Sequence, residues 1–384
     1  MTDPLVRGWC PGAHRPMRSG DGLVVRVRPR LGRLSGAQLA GLADAAARFG
    51  SGRIDLTGRA NLQIRGVADD DHPALLAALS AHGLLDADEA AERRRNVVVT
   101  PFPDMAGETA ALAAALDARL GDLPPLPAKF GFAVDTGPVR RLADVPADIR
   151  IERAADGGLL VRADGLDRGV AVGPDAAIAF VFGLARWFSV AGGMVAGRGR
   201  MADLVGRGVR PPAALAGDAL PAAAAPPPVP SPADGGRLVG FAFGAASAAD
   251  LAVLAALGDV RVTPWRMLLV ETAAAPPDRP DLLLADDPLL AVAACSGAPD
   301  CQQAKGTTRD LARRLAGLVP PRTRLHVSGC TKGCALAGPA DVVLVATAAG
   351  WDVVRDGRPG DPPVARGLPA ARLADPTFFR ELVS

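Results

Sequence analysis

Two stretches of this 384-residue chain repeat one succession of elements, and that repeat restricts the possible folds more than any other feature. In the first, Gly22-Leu-Val-Val-Arg-Val-Arg28 alternates as a strand. Ser35 then caps a helix with Leu39, Leu42, Ala46 and Phe49 on one face, and Ile54 to Thr57 and Asn61 to Val67 read as two more strands. In the second, Arg237 to Phe243 is a strand, Ser247 caps a helix bearing Leu251, Leu254 and Leu257, and Val260 to Thr263 and Met267 to Thr272 follow as strands. Thr57 aligns with Thr263 and Ile64 with Val270, a shift of 206 residues each time. A strand–helix–strand–strand unit used twice implies internal duplication about a pseudo-twofold axis. The expected class is α+β with mixed sheets, and not a doubly wound fold.

Between the halves lies Arg210 to Gly236, with Pro211-Pro212, an alanine run and Pro226-Pro227-Pro228 through Pro232. Such a segment favours extended polyproline geometry over core packing, and reads as a linker or a loop. The expected division is a duplicated domain from 1–67 and 237–285, a first pocket domain at 68–209, the Pro/Ala-rich linker at 210–236 and a cysteine-bearing domain at 286–384. Within these, Val170 to Val172 reads as a strand and Asp175 to Val190 as an apolar helix beginning at Pro174. A helix at Thr308 to Ala316 and strands at Arg324 to Val327, Val342 to Ala346 and Trp351 to Arg355 are expected nearer the C-terminus.

With 49% hydrophobic residues the chain can bury a large core, and its net charge of +2 gives no global field for nucleic acid. No run of eighteen apolar residues predicts a membrane span. Met1 to Gly22 lacks an apolar stretch and is interrupted by Arg7, His14, Arg15 and Arg18, so a cytoplasmic chain with free thiols is expected. The absence of tyrosine and the surplus of Ala, Gly, Arg and Pro look like codon bias and carry no function.

Four of the five cysteines fall close together: Cys295 and Cys301 as C-x5-C, then Cys330 and Cys334 as C-x3-C. Two such pairs, joined by a fold-dependent gap, can bring four thiolates around one metal centre. A [4Fe–4S] cube takes four cysteine ligands. Gly297, Gly329, Gly333 and Gly338 permit the tight turns that aim backbone N–H groups at sulfur. Structural zinc is the rival, although an x5 spacer lies outside the usual two to four; four unrelated buried thiols are the plainest alternative.

Three stretches place cations beside strand ends. They are Leu56 to Arg65, with Arg59, Asn61, Gln63 and Arg65; Arg93-Arg94-Arg95-Asn96-Val97; and Leu126 to Gly131, with Lys129. Alternation along the strand puts Asn61, Gln63 and Arg65 on one face, opposite Leu62 and Ile64. Amide and guanidinium groups on one face suit a polyanion, since Arg binds carboxylates bidentately. For Arg93 and Arg94 a solvated surface is the plainer reading.

In these features the chain resembles the siroheme-dependent sulfite and nitrite reductases. Those enzymes are built on the same duplicated, ferredoxin-like unit. They carry C-x5-C … C-x3-C for a [4Fe–4S] cluster, and a T-x-R-x-x-x-Q segment, here Thr57 to Gln63, lines their tetrapyrrole pocket. More closely, Cys10-Pro11-Gly12, His14-Arg15-Pro16-Met17, Gly20-Asp21-Gly22-Leu23 and Thr263-Pro264-Trp265-Arg266 resemble the branch of that family in aerobic cobalamin biosynthesis. That resemblance implies an O2-dependent monooxygenase. Precorrin-3A is hydroxylated at C20 and a ring-A acetate closes a γ-lactone, with electrons from NADH. It also implies a [4Fe–4S] cluster on Cys295, Cys301, Cys330 and Cys334, and a further non-haem iron. By the same resemblance Arg59, Arg95 and Lys129 stand around the substrate's anionic groups. The reductases carry K-x-K where this chain has Lys129 and Gly131. The loss of one cation argues against a small oxyanion and shifts the tetrapyrrole from cofactor towards substrate.

No flavin or NAD fingerprint is present, and Gly197-Arg-Gly199 is too lean to count as one. A separate NADH-linked electron donor is therefore expected. A two-His-one-carboxylate iron site has only His14, His72, His82 and His326 to draw on. His72 and His82 read as the ends of one helix, and His14 is the one expected nearest the pocket, with ordinary surface placement the plainer reading. Cys10 is a candidate pocket thiol. The rival functions are a true siroheme sulfite or nitrite reductase, and a non-catalytic tetrapyrrole or Fe–S binding protein.

Overall fold

The structure is a computed structural model that describes residues 11–102, 107–336 and 338–383, so Cys10 lies outside the described residues. The first unit contains β1 (Met17–Ser19), β2 (Gly22–Val27), β3 (Arg33–Leu34), α1 (Gly36–Phe49), β4 (Arg53–Leu56) and β5 (Leu62–Val67). Then come α2 (His72–Ala81), α3 (Glu89–Arg94), β6 (Val97–Val99), α4 (Glu108–Asp117), β7 (Phe132–Asp135), β8 (Ile149–Arg153), β9 (Leu159–Ala163), β10 (Val170–Val172) and α5 (Pro174–Val190). Short helices α6 (Met201–Gly206) and α7 (Ala213–Ala216) lead into β11 (Ser231–Ala233), β12 (Gly236–Phe241), β13 (Ala245–Ser247), α8 (Ala248–Ala255), β14 (Val260–Val262), β15 (Met267–Val270) and β16 (Leu282–Leu283). The last set is β17 (Val292–Ala294), α9 (Thr308–Ala316), β18 (Leu325–Ser328), β19 (Ala340–Thr347), β20 (Gly350–Gly357) and β21 (Ala365–Leu368).

The two units match in detail. Ser35 accepts from the Gln38 N–H at 3.1 Å while the Gln38 side chain accepts from the Ser35 N–H at 3.0 Å, closing a capping box on α1. Ser247 and Asp250 do the same on α8, at 3.0 and 3.3 Å. In the turns after β4 and β14, Thr57 Oγ1 accepts from the amides of Arg59 and Asn61, and Thr263 Oγ1 from those of Trp265 and Met267. The turns share a left-handed residue, Ala60 at φ 52° and Arg266 at φ 60°, a conformation that non-glycine residues seldom adopt. Equal strain at equivalent positions marks a repeated geometry, not a chance likeness.

Each unit lends a strand to the other. The first sheet runs β1-β2-β5-β4-β13 and the second β11-β12-β15-β14-β3. β13 pairs antiparallel with β4, Ala246 opposite Ile54, and β3 with β14, Leu34 opposite Val260. α1 and α8 pack together beneath both sheets, so that Val25, Leu39, Leu42, Ile54, Leu251, Leu254, Val260 and Leu268 belong to one core. Leu75 and Leu79 of α2, and Leu84, also enter that core. The expected boundary at 67/68 therefore falls inside a packed unit.

A second duplication was not apparent from sequence. The sheet β10-β9-β8-β7-β6 and the sheet β17-β18-β19-β20-β21 share one pattern, two parallel pairings followed by two antiparallel ones. Val97 pairs with Phe132 as Val292 pairs with Leu325, so Thr100 leaves β6 where Cys295 leaves β17. The first copy carries Thr100, Asp135 and Thr136, all buried, in the region where the second carries its cysteines. Burial pushes the Asp135 carboxyl up to about 6, and at 1% exposure the neutral acid is favoured. Stability from keeping it protonated is complete below about pH 4 and lost as pH rises through about 6, roughly 3 kcal/mol in all. Asp135→Asn is expected to gain that amount over the parent between about pH 4 and pH 7 in urea unfolding; a pH-independent difference would contradict it.

The Pro/Ala-rich segment is not a free linker. Its backbone lies along the β6–β10 sheet: Ala219 and Gly169 exchange hydrogen bonds at 3.0 Å, and Ala222 N–H donates to Arg153 O at 2.9 Å. Proline's missing donors suit it to such an edge, where only alternate groups need pair.

Candidate active site

The first sheet has an apolar face on α1 and a polar face towards the rest of the molecule. Val25, Val27, Ile54, Leu56, Leu62 and Ile64 point into the core. Arg26 pairs across from Gln63, and Gln63 across from Asp55, so all three share the opposite face with Asn61 and Arg65. With its amide oxygen towards Arg26, Gln63 accepts from that guanidinium at 3.2 and 2.7 Å. Arg28, the next residue on this side of the strand line, is 7% exposed and donates to the Glu92 carbonyl. Burial pulls the Arg28 pKa down to about 10. Glu92 in turn anchors the N-terminal segment, accepting from Ala13 N–H at 2.7 Å and His14 N–H at 3.2 Å.

Arg59, Asn61 and Arg95 line one cleft with Asn96, Val97, Val98, Gly131 and Pro146. Arg59 donates to the Lys129 carbonyl at 3.2 Å, which ties the turn after β4 to the turn before β7; the Lys129 side chain is exposed. A Cβ at Gly131 would stand 3.2 Å from the Asn96 carbonyl oxygen. A lysine there would crowd this strand start and fill the cleft, so the missing cation is also missing bulk. Arg95 is held bidentately by Asp86 at 2.9 and 2.7 Å, and Arg65 by Asp21 at 3.0 and 2.9 Å. Both guanidiniums thus have internal carboxylate partners, whereas sequence reading treated them as cations for a ligand. Arg93 and Arg94 are exposed, as expected.

The cysteines leave the ends of two adjacent parallel strands, Cys295 and Cys301 after β17, Cys330 and Cys334 after β18. Their loops are stitched together where Lys305 N–H donates to Gly329 O at 2.8 Å, and the first is closed on itself by Cys301 N–H donating to Gly297 O at 2.7 Å. Gly297, at φ 69°, has no room for a side chain, since a Cβ would meet Thr308 Oγ1 at 2.4 Å. The Gly329 amide points at Cys295 Sγ, 3.2 Å away. Burial pushes the Cys330 and Cys334 thiols up, and the surrounding cysteines push further. Bound metal reverses this, because a coordinating thiol is deprotonated.

Among the described residues no three His, Cys, Asp or Glu side chains converge on a single ion. The two-His-one-carboxylate site is therefore not formed there. His14 Nε2 contacts Asp86 O at 2.8 Å, His72 Nε2 contacts Ala13 O at 2.9 Å, and His82 ends α2 against Gly41. His326 lies on β18, fully buried, and burial pulls its pKa down to about 4. The same observation bears differently on the thiols. In a cube each cysteine takes a different iron, so its ligand set is wider than that of one ion. Four soft donors on stitched loops, with an amide aimed at one sulfur, fit such a cluster.

The polar sheet face and the cysteine loops meet. A Cβ on Gly20, in the β1–β2 turn, would lie 2.8 Å from Gln302 N and 3.2 Å from Cys301 Cα. Asp55 stands between Arg65 at 3.5 Å and Arg309 at 3.6 Å, and Arg266 donates to Ala335 O at 2.5 Å. Sequence reading gave no site role to Arg26, Asp55, Arg309 or Arg266, the last quoted only within Thr263-Pro264-Trp265-Arg266. Strand alternation marks Arg26 and Asp55, and the repeat marks Arg266 as the counterpart of Ala60; Arg309 carried no local signal.

The nitrite/sulfite reductase ferredoxin-like half-domain model matches residues 15–82. A precorrin-3B synthase from a Sinorhizobium species is 31% identical over a 406-residue alignment, covering 96% of this chain and 85% of that protein. The chain belongs to the precorrin-3B synthase family. A ferredoxin–nitrite reductase of Synechococcus elongatus is 31% identical over 141 residues, 34% of this chain and 27% of that one. The structure of Mycobacterium tuberculosis NirA superposes with a TM-score of 0.61 at 17% identity, covering 92% of this chain and 79% of that chain. The precorrin-3B synthase family member thus has the sulfite/nitrite reductase fold, duplicated and α+β. None of its helices, among the described residues, is long and apolar enough to cross a membrane.

Proposed function

We propose that this chain is an O2-dependent precorrin-3B synthase. It binds precorrin-3A in the Arg59–Asn61–Arg95 cleft and hydroxylates C20, with γ-lactone closure by the ring-A acetate. Cys295, Cys301, Cys330 and Cys334 hold a [4Fe–4S] cluster, which supplies one-electron transfer to a reaction that triplet O2 would otherwise enter slowly. Overall, NADH acting through a separate donor gives up two electrons; one oxygen atom enters the product and the other leaves as water.

One observation carries the reading: the cation-rich face of the first sheet abuts the cysteine loops, with Asp55 and Arg309 at the seam. The chain's own work is then to bind and orient. Arg59 and Lys129 meet acetate and propionate carboxylates. Asn61 offers its amide along the cleft wall, whereas both Asn96 Nδ2 hydrogens are taken, by Ala128 O at 2.9 Å and Phe130 O at 3.2 Å. Gly131 leaves the cleft free of the side chain that a lysine would place in it.

The test is to reconstitute the protein anaerobically with iron and sulfide, then add precorrin-3A, a reductant and 18O2. One labelled oxygen in the lactone product is expected. An unlabelled tetrapyrrole that binds but does not change identifies a carrier. A siroheme spectrum in the purified protein, with nitrite or sulfite reduced, identifies a reductase instead.

A further inference from the structure

Arg309, the second residue of α9, is a cation in a place that does not suit one. The positive end of the helix dipole disfavours it, and its side chain is 14% exposed. Its Nε and Nη1 are fully buried without a hydrogen-bond partner. Unmade buried donors of this kind are destabilising. The nearby carboxylate is Asp55, 3.6 Å from Nη2, but Asp55 also faces Arg65 at 3.5 Å, and Arg65 already holds Asp21. Burial lowers the Arg309 pKa, Asp55 opposes the fall, and Arg53 and Arg65 add to it. Arg53 and Arg65 crowd this guanidinium, although Arg53 also faces Asp300 at 3.6 Å, and besides Asp55 the group that opposes the fall is Cys295.

The missing anion is next door. The preceding residue, Thr308, donates from Oγ1 to the Cys295 carbonyl at 2.5 Å, which fixes the start of α9 against that cysteine. The Gly329 amide already points at the Cys295 sulfur. A cluster held by four thiolates is net anionic, and hydrogen bonds and charge at its sulfurs set its reduction potential.

We infer that Arg309 is a positioning residue for the electron, its unpartnered N–H groups serving the sulfur side of the cluster at Cys295 and favouring the reduced, more negative state. Asp55 opposes it from the sheet face. This rests on the cluster reading above. The step involved is the gain of one electron, from dithionite in the test, with no bond made or broken.

The test is a redox titration followed by EPR, with iron and sulfide counted on the same samples. Arg309→Gln is expected to keep the parent's iron and sulfide and to lower the reduction equilibrium constant about tenfold, which is about 59 mV for one electron. Arg309→Lys, which keeps the charge, is expected to recover most of that loss. Asp55→Asn, with Arg309 intact, is expected to move the potential the opposite way, and it carries the test if the glutamine variant does not assemble. An unchanged potential in a fully loaded Arg309→Gln, or a fall in Asp55→Asn, overturns the inference alone. A parent that takes up no iron and sulfide overturns the cluster reading and this inference with it.

Discussion

Cys330→Ala is expected to abolish intact cluster assembly and, with it, turnover. On the proposed cluster reading each thiolate takes a different iron of the cube, so the variant should hold at most about three irons per chain where the parent holds about four. The thiols here resist ionising on their own, because burial and mutual repulsion push Cys330 and Cys334 up. On the same reading metal supplies the missing stabilisation, and removing one ligand weakens it for the other three. Iron, sulfide and zinc analysis after anaerobic reconstitution checks this, with Cys10→Ala as the control expected to load fully. Full iron and sulfide in Cys330→Ala would sink the ligand assignment. Stoichiometric zinc in the parent would point to a structural site instead.

Arg59→Ala should weaken tetrapyrrole binding by about 10- to 150-fold, since a charge-assisted hydrogen bond to a carboxylate contributes about 1.5–3 kcal/mol. Arg59→Lys should recover part of that, keeping the charge but losing the two-pronged geometry. A fluorescence titration with precorrin-3A is the measurement, and equal affinity in parent and alanine variant would remove Arg59 from the site. Arg95 and Arg65 should behave differently. Arg95 and Asp86 are 10% and 7% exposed at their side chains, so Arg95→Ala leaves a buried carboxylate alone. Such breakage costs about 3–5 kcal/mol of stability. Arg65→Ala strands Asp21 in the same way. For these two the midpoint of urea unfolding, more than affinity, should fall.

The first duplication was legible because it is written in local chemistry: a serine cap, a threonine turn and alternating valines recur at fixed spacing. The helix at Thr308–Ala316 falls on its expected residues for the same reason. The second duplication was hidden, because its two copies share strand order while one carries Cys295 and Cys330 at its strand ends and the other buries Thr100, Asp135 and Thr136. Arg59, Asn61 and Arg95, which sequence reading grouped as one candidate site, line one cleft, but the carboxylates that hold Arg95 and Arg65 could not be seen. Asp86 and Asp21 sit 9 and 44 residues from the arginines they hold. Pairing at such separations is a property of the folded chain alone. Proline content also misled at 210–236, since an extended segment can be docked along a sheet as readily as left in solvent.

The exchanged strands β3 and β13 make each half dependent on the other for an edge. A single ancestral copy of this unit would leave that edge open and would meet the need only by pairing with a second molecule, at a rate set by its concentration. Joining the copies in one chain makes the encounter intramolecular and independent of concentration. The halves no longer had to remain alike once each had a guaranteed partner. One copy carries Cys295 and Cys330 where its twin carries Thr100, Asp135 and Thr136.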